Sequence, residues 1–390
     1  MARWGEWAWS LGLAGCAAVA LRQWWRVRRT YAELGPPEPG LVALGTPAVA
    51  IVLPVRNEAA NIDGVVASLL AQDWPAFDLL VVDDGSTDQT PALLAAWARR
   101  DPRMRVRRVE QLPPGWAGKP HALHTGAAET TADWLLFTDA DTRHAPSVLR
   151  LVLGHALRGG LDLVSAIPHL TLTGAGTRLL TPIGAISLLE RATPAEVRDP
   201  SHRGAFAVGQ YILIRRAAYQ RVGGYAAPEL RTTFADDVRL AEVVKRAGGR
   251  VDVVSGRGLV FNEQWTTWGT VWRGWRKSIY GEVGDRPFAG LAGGLLLLGY
   301  GLLPLVALAR VRRGRVAAAL GGLAAVAQVA ARWPFDRDGE LAVGWSLTAP
   351  VGWAALGALV LDATRLALTG RGADWKGRAA PHPVTQPGHK

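Results

Sequence analysis

The chain is 390 residues long, enough for one large domain or two modest ones, and its formal net charge is +11. With 49% hydrophobic residues, 20% charged residues and a mean hydropathy of +0.10, it is too polar for a polytopic transporter and too apolar for an ordinary soluble enzyme. A single cysteine, Cys16, excludes an intrachain disulfide framework and a cysteine-based zinc site.

The first apolar stretch spans about 7–21 and is extended by Trp4, Trp24 and Trp25, aromatic residues of the kind that sit at membrane interfaces. Arg22, Arg26, Arg28 and Arg29 follow it rather than precede it, and no small-residue cleavage site leads into a polar start. The expectation is a retained membrane anchor over 1–30 with its C-terminal end cytoplasmic. This placement of basic residues favours a membrane surface. No basic stripe with interleaved aromatics lies in the polar region, so no nucleic-acid partner is expected.

After a Pro/Gly-rich linker at 35–45, a soluble domain is expected over 47–287. The run 48–53 reads as a buried strand, and Ile62, Val65, Val66, Leu69 and Leu70 recur at helical spacing. A second strand at 79–82 runs into Asp83, and a helix follows with Thr90 as N-cap and Pro91 at its first position. A weaker strand lies at 106–109, and 134–138 is another buried strand leading to Asp139. Strand and helix alternate, which predicts a mostly parallel sheet with flanking helices. Beyond Pro287 the runs 288–309, 316–331 and 341–361 are membrane-helix candidates, giving membrane helices over 288–365 and a polar tail over 366–390. Gly299, Gly301 and Pro304 interrupt the first run. With the arginine-rich loop 310–315 behind it, that run is expected to be re-entrant or interfacial.

Three polar motifs sit where strands end: Pro54-Val55-Arg56-Asn57-Glu58, Asp83-Asp84-Gly85-Ser86-Thr87-Asp88 and Asp139-Ala140-Asp141. Turn chemistry alone explains any one of them. Three at strand ends of one sheet mark the edge where α/β folds bind ligands. Acids face a nucleotide diphosphate only through a divalent cation, and Asp139-x-Asp141 offers hard oxygen ligands suited to Mg²⁺ or Mn²⁺. Asp83 can accept a hydrogen bond from a base N–H or a ribose hydroxyl. Neither a Gly-x-Gly-x-x-Gly turn nor a phosphate-binding Gly-x-x-x-x-Gly-Lys loop is present, which disfavours dinucleotide enzymes and P-loop NTPases.

The stretches PVRNE (54–58), VVDDGSTD (81–88), GWAGKPHAL (115–123), TDADT (138–142), GQYILIRR (209–216) and ADDVRLA (235–241) together resemble an inverting family 2 glycosyltransferase with the GT-A fold. GWxGK, WRGWRK (272–277) and WKGR (375–378) are similar to the carotenoid- or hopanoid-associated membrane subgroup. The resemblance implies an α/β, Rossmann-like mixed sheet between N-terminal and C-terminal membrane helices. It assigns Pro54, Glu58, Asp83 and Asp84 to the nucleoside, Lys119 to a phosphate, and Asp139 with Asp141 to ribose and metal. Gly209 and Gln210 fall on the sugar or acceptor side. Asp237 matches the general base, with Asp236 beside it as the alternative. Trp275 and Arg276 stand on the acceptor side, where processive relatives carry Gln-x-x-Arg-Trp; the altered order points to transfer of one sugar. His121 and His124, three residues apart without a third ligand, are expected to be ordinary surface or pocket-wall residues.

These readings converge on a metal-dependent hexosyltransferase in the cell membrane, multi-pass, with its catalytic domain cytoplasmic. A nucleotide-diphosphate sugar is the donor and a lipid hydroxyl of carotenoid, hopanoid or glycerolipid type the acceptor. The alternatives are a polyprenyl-phosphate sugar synthase, whose acceptor is already an anion, and a catalytically inactive nucleotide-sugar-binding membrane protein.

Overall fold

A computed structural model describes residues 2–38, 46–262, 267–283, 286–370, 374–375 and 378–379. Most of the 35–45 linker and of the 366–390 tail, with the centre of the 375–378 motif, lies outside the described residues.

The helices are α1 (Ala2–Glu33), α2 (Ile62–Leu70), α3 (Thr90–Arg100), α4 (Gly118–Ala128), α5 (Val148–Gly159), α6 (Ala175–Leu189) and α7 (Pro194–Arg198). They continue with α8 (Arg216–Arg221), α9 (Pro228–Arg231), α10 (Asp236–Arg246), α11 (Trp268–Val283), α12 (Pro287–Ala309), α13 (Arg315–Asp338) and α14 (Ala349–Leu368). The main sheet has eight strands: β1 (Val49–Val55), β2 (Phe77–Asp83), β3 (Met104–Arg108), β4 (Trp134–Phe137), β5 (Thr142–His144), β6 (Leu163–Leu170), β7 (Ile212–Arg215) and β8 (Val251–Asn262). Their order is β3-β2-β1-β4-β7-β6-β8-β5.

The expected parallel sheet forms over β3, β2, β1 and β4. Beyond β4 it is mixed: β7 runs antiparallel to both β4 and β6, and β5 antiparallel to β8. The first strands read as unbroken apolar runs because both of their faces are covered. Val49, Ile51 and Leu53 belong to the core that holds α2, α3 and α5, whereas Ala50 and Val52 belong to the opposite core, where Gly126 of α4 abuts Val52 and which extends to residues of α1, α6 and α10. Thr90 is the first residue of α3 rather than its cap. Asp88 Oδ1 accepts its N–H at 2.9 Å, which leaves the Thr90 hydroxyl to accept the Glu58 N–H at 2.9 Å.

Three helical segments have the length and apolar composition to cross a membrane: Pro287–Ala309, Arg315–Asp338 and Val343–Leu368. α1 is not among them. It runs along α13, buries Leu13, Cys16, Ala17 and Ala20, and ties its C-terminal half to the sheet domain through Arg22–Glu190 and Arg26–Glu196. α12 removes the re-entrant half of the sequence expectation and leaves the interfacial half standing. It is continuous through Gly299, Gly301 and Pro304, so the expected re-entrant break is absent. Gly301 instead meets the backbone of Pro350 and Ala354 on α14, and the Gly357 backbone of α14 meets Leu298 in return. Small residues here permit helix contact rather than helix breakage. At the far end of α13, the buried pair Arg332–Asp336 reaches Thr348, Ser346 and the Arg178 carbonyl of α6.

Candidate active site

The parallel strands β1, β2 and β4 end on one edge of the sheet, which gathers the turns 54–58, 83–88 and 138–141. Because β7 runs antiparallel to β4, the residues leading into it, Gly209 and Gln210, meet the end of β4. The start of α10 brings Asp236 and Asp237 to the same place.

On the β1–β2 side the turns brace one another. Asn57 adopts a left-handed conformation (φ 50°), which asparagine tolerates better than most residues. This aims its Oδ1 at the Thr87 N–H (2.8 Å) and its own N–H at Ser86 Oγ (2.9 Å). Arg56 donates to the carbonyls of Asp84 and Gly85. Glu58 accepts from Asn61 Nδ2 at 2.8 Å, and Pro54 lies within β1. Asp84, largely buried, donates its N–H to the Val55 carbonyl. Asp83 Oδ1 accepts the Ser86 N–H at 2.9 Å. Its Oδ2 lies 3.5 Å from Arg108 Nη1 and has no hydrogen-bond partner among the described residues. A buried carboxylate oxygen in that condition is an acceptor waiting for a donor.

On the β4–β7 side, Lys119 at the start of α4 places Nζ 2.8 Å from Asp139 Oδ1 and 3.6 Å from Asp236 Oδ2. The Gly209 N–H donates to Asp237 Oδ2 at 2.9 Å, and the Val238 N–H to Asp237 Oδ1 at 2.8 Å. Glycine at 209 lets three charged side chains close over the backbone. A Cβ there would lie 2.9 Å from Lys119 Nζ, 3.1 Å from Asp139 Oδ2 and 3.4 Å from Asp237 Oδ2. Gln210 accepts the Thr138 hydroxyl on its carbonyl at 2.7 Å.

Asp236 and Asp237 differ in setting. Asp236 is 3% exposed and receives the Tyr225 hydroxyl at 3.4 Å, whereas Asp237 is only part-buried. Burial is the largest influence on both and raises both carboxyls. Lys119 opposes it, the neighbouring acids reinforce it, and Asp236 is pushed up to about 6. Burial alone would lower the Lys119 ammonium, but Asp139, Asp236 and Asp237 outweigh it and hold it above the usual range.

The donor types at 139 and 141 are those that a divalent cation shared with phosphate oxygens accepts. Asp139 and Asp141 are hard oxygen donors. Among the described residues no group of three or more His, Cys, Asp or Glu is arranged to hold a metal alone. Mg²⁺-type binding through one or two carboxylates plus phosphate oxygens needs no such cage.

Trp275 and Arg276 are not brought to this cluster. Trp275 is seated on Gly184 of α6, and Arg276 pairs with Asp362 of α14 at 3.1 Å. Both lie in the middle of α11, on the side that packs against α6 and α14, and an acceptor-side role for them stays an expectation. The α11 residue whose charge reaches Asp236 is Lys277. His121 and His124 both pack on Trp116, with ring centroids 5.2 and 5.1 Å away, as wall residues do. Sequence reasoning also missed Arg108 and Tyr225. Arg108 lies in a weak edge strand, and Tyr225 in a single 3₁₀ turn (Gly224–Ala226) without a motif, so no local signal marks either.

Residues 50–223 match the glycosyl transferase family 2 profile. A 4,4'-diaponeurosporenoate glycosyltransferase of Staphylococcus aureus (strain MRSA252) is 29% identical over 184 residues, covering 46% of this chain and 46% of that protein. The chain thus aligns with about half the length of such curated relatives. A mannosyltransferase from Pyrobaculum calidifontis, solved in complex with GDP-Man and Mn²⁺, superposes with a TM-score of 0.60 at 21% identity, over 93% of this chain and 98% of that one. That likeness concerns the fold.

Proposed function

Residues 50–223 form a glycosyl transferase family 2 domain on a GT-A fold, and on that premise we propose that the protein transfers one sugar, with inversion, from a nucleotide-diphosphate sugar to the hydroxyl of a membrane lipid. The acceptor is of carotenoid, hopanoid or glycerolipid type. The observation that carries the reading is the convergence of Asp237, Gly209, Lys119 and Asp139 at the strand-end edge. Beside it, Asp83 Oδ2, ion-paired with Arg108 but without a hydrogen bond among the described residues, suits a nucleoside N–H or hydroxyl.

The chemistry follows from those groups. Asp237 accepts the acceptor's hydroxyl proton as its oxygen attacks the anomeric carbon. The bond from that carbon to the nucleotide diphosphate breaks on the opposite face, so the configuration inverts. The Gly209 N–H holds the Asp237 carboxylate in place, and Asp236, buried beneath with Tyr225, sets the local charge. Lys119 is the cation nearest the departing diphosphate. Mg²⁺ or Mn²⁺, held by Asp139 and Asp141, supplies charge neutralisation to the leaving group when bound. The exposed apolar residues of α12 and α13 support an acceptor drawn from the bilayer and a membrane location, with the sheet domain on the cytoplasmic side, where nucleotide sugars are.

Mass spectrometry of lipids from cells with and without the protein tests this directly. A hexose-mass increment on a lipid class is expected only with the protein present. Purified protein that neither modifies a lipid extract nor hydrolyses any nucleotide sugar would overturn the reading in favour of an inactive binding protein.

A further inference from the structure

We infer that Lys119 is a built-in counter-cation that keeps a divalent metal off Asp139 until a nucleotide diphosphate arrives, so that metal and nucleotide bind as a cooperative pair. This deepens the function proposed above and rests on its donor class.

The ammonium stands where the carboxylates converge. Nζ is 2.8 Å from Asp139 Oδ1 and 3.6 Å from Asp236 Oδ2. The space above Gly209 is bounded at once by Nζ, Asp139 Oδ2 and Asp237 Oδ2. A compact single charge already neutralises the carboxylate that the metal needs. A divalent ion entering alone meets cation–cation repulsion at salt-bridge distance, with little gain from a half-neutralised donor.

A nucleotide diphosphate changes that balance. Lysine is a point charge on a flexible stem, and the Lys119 side chain keeps 29% of its surface exposed. Its ammonium can turn from Asp139 to a phosphate oxygen without unfolding α4. Asp139 is then free for the metal, and the phosphates supply the remaining oxygens. By linkage, each ligand must then raise the affinity for the other by the same factor.

The test is titration of Mn²⁺ alone into the full-length protein in detergent, by calorimetry or Mn²⁺ paramagnetic resonance, and then again with GDP or UDP present. Wild type is expected to bind Mn²⁺ weakly alone, and at least about tenfold more tightly with nucleotide. Lys119→Met should bind Mn²⁺ alone at least about tenfold more tightly than wild type, since a unit positive charge next to a ligand has gone. It should also show a smaller nucleotide enhancement. Lys119→Gln, which keeps a donor for Asp139 but no charge, should behave the same way and covers the case in which the methionine variant does not fold. Asp139→Asn added to either variant should abolish the gain. Variants that bind nucleotide and Mn²⁺ but with wild-type affinity for Mn²⁺ alone overturn the counter-cation role while leaving the proposed donor class standing. Absence of nucleotide binding in every form overturns both.

Discussion

At the scale of single residues, Asp237 offers the sharpest test. Its two oxygens each accept a backbone N–H, from Val238 and from Gly209. Asp237→Asn must turn its amide nitrogen toward one of these donors, so it should lose about 1 kcal/mol of stability through that single hydrogen bond. It should still fold and bind donor, yet turnover should fall at least about 100-fold, because an amide cannot take the acceptor's proton. Wild-type turnover in Asp237→Asn with a dead Asp236→Asn would move the base by one residue. Activity in both would mean that the acceptor brings its own anion, as a polyprenyl phosphate does. His144 makes a second prediction. It lies under the site, 4% exposed, with Nε2 3.1 Å from the Thr138 hydroxyl and a buried Nδ1 that has no hydrogen-bond partner among the described residues. Thr138 spends its own hydrogen on the Gln210 carbonyl, so the imidazole donates from Nε2 and stays neutral. Burial pushes its pKa down from 6.5 to about 4. A depressed folded value means that the stabilisation is present above the unfolded value and is lost as pH falls from 6.5 through 4. Denaturant titrations should therefore show wild type losing on the order of 2–3 kcal/mol more than His144→Gln over that window. Equal slopes for the two proteins would reject it.

At the scale of elements, close helix contact decides what glycine means. A Cβ on Gly357 would sit 2.5 Å from the Leu298 backbone nitrogen, whereas one on Gly293 meets nothing within 4 Å. Gly357→Leu should force α12 and α14 apart and cost about 1–3 kcal/mol as overpacking. Gly293→Ala on α12 should be neutral or slightly stabilising. Thermal unfolding in one detergent compares them, and equal melting temperatures would show that α12 and α14 do not pack this way. The same contrast explains what the sequence made legible. The strands β1, β2 and β4 and their acidic turns were readable because an apolar run followed by a polar turn is a local signal. The antiparallel insertion of β7 was not, since register between Leu135 and Ile214 is settled by partners far apart in the chain. Asp139, Lys119, Gly209 and Asp237 were nameable through motifs. Their mutual distances, and the parts of Arg108, Tyr225 and Lys277, came only with tertiary packing. Gly299, Gly301 and Pro304 carried a genuine local signal for a break, and packing against α14 and α13 overrode it.

At the scale of the whole molecule, apolar exposure is segregated. Among the described residues, the exposed large apolar side chains outside α1 and the segment 287–370 are Val106 and Trp268. Phe288 (77% exposed), Leu296 (74%) and Val316 (68%) lie on α12 and α13, an apolar surface that water does not favour and a bilayer does. α12 has 23 residues, or roughly 34 Å of helix against a hydrocarbon core of about 30 Å. A chain that turns back inside the bilayer must open its backbone hydrogen bonds to lipid, unless protein covers the turn. α12 has no such turn. If the sheet domain is cytoplasmic, as proposed, an α12 that spans delivers Arg310 and Arg312 to the opposite face, against the usual bias of basic loops toward the cytoplasm. Backbone satisfaction disfavours the turn but not an unbroken helix lying in the interface, so it is the match between the length of α12 and the hydrocarbon core that favours a span. Gly314→Cys in a Cys16→Ala background should therefore react with a membrane-impermeant maleimide added to intact cells. Labelling that appears only after permeabilisation would mean that α12 lies along the interface with its leucine face in the acyl boundary, and that the arginine loop stays on the side of the catalytic domain.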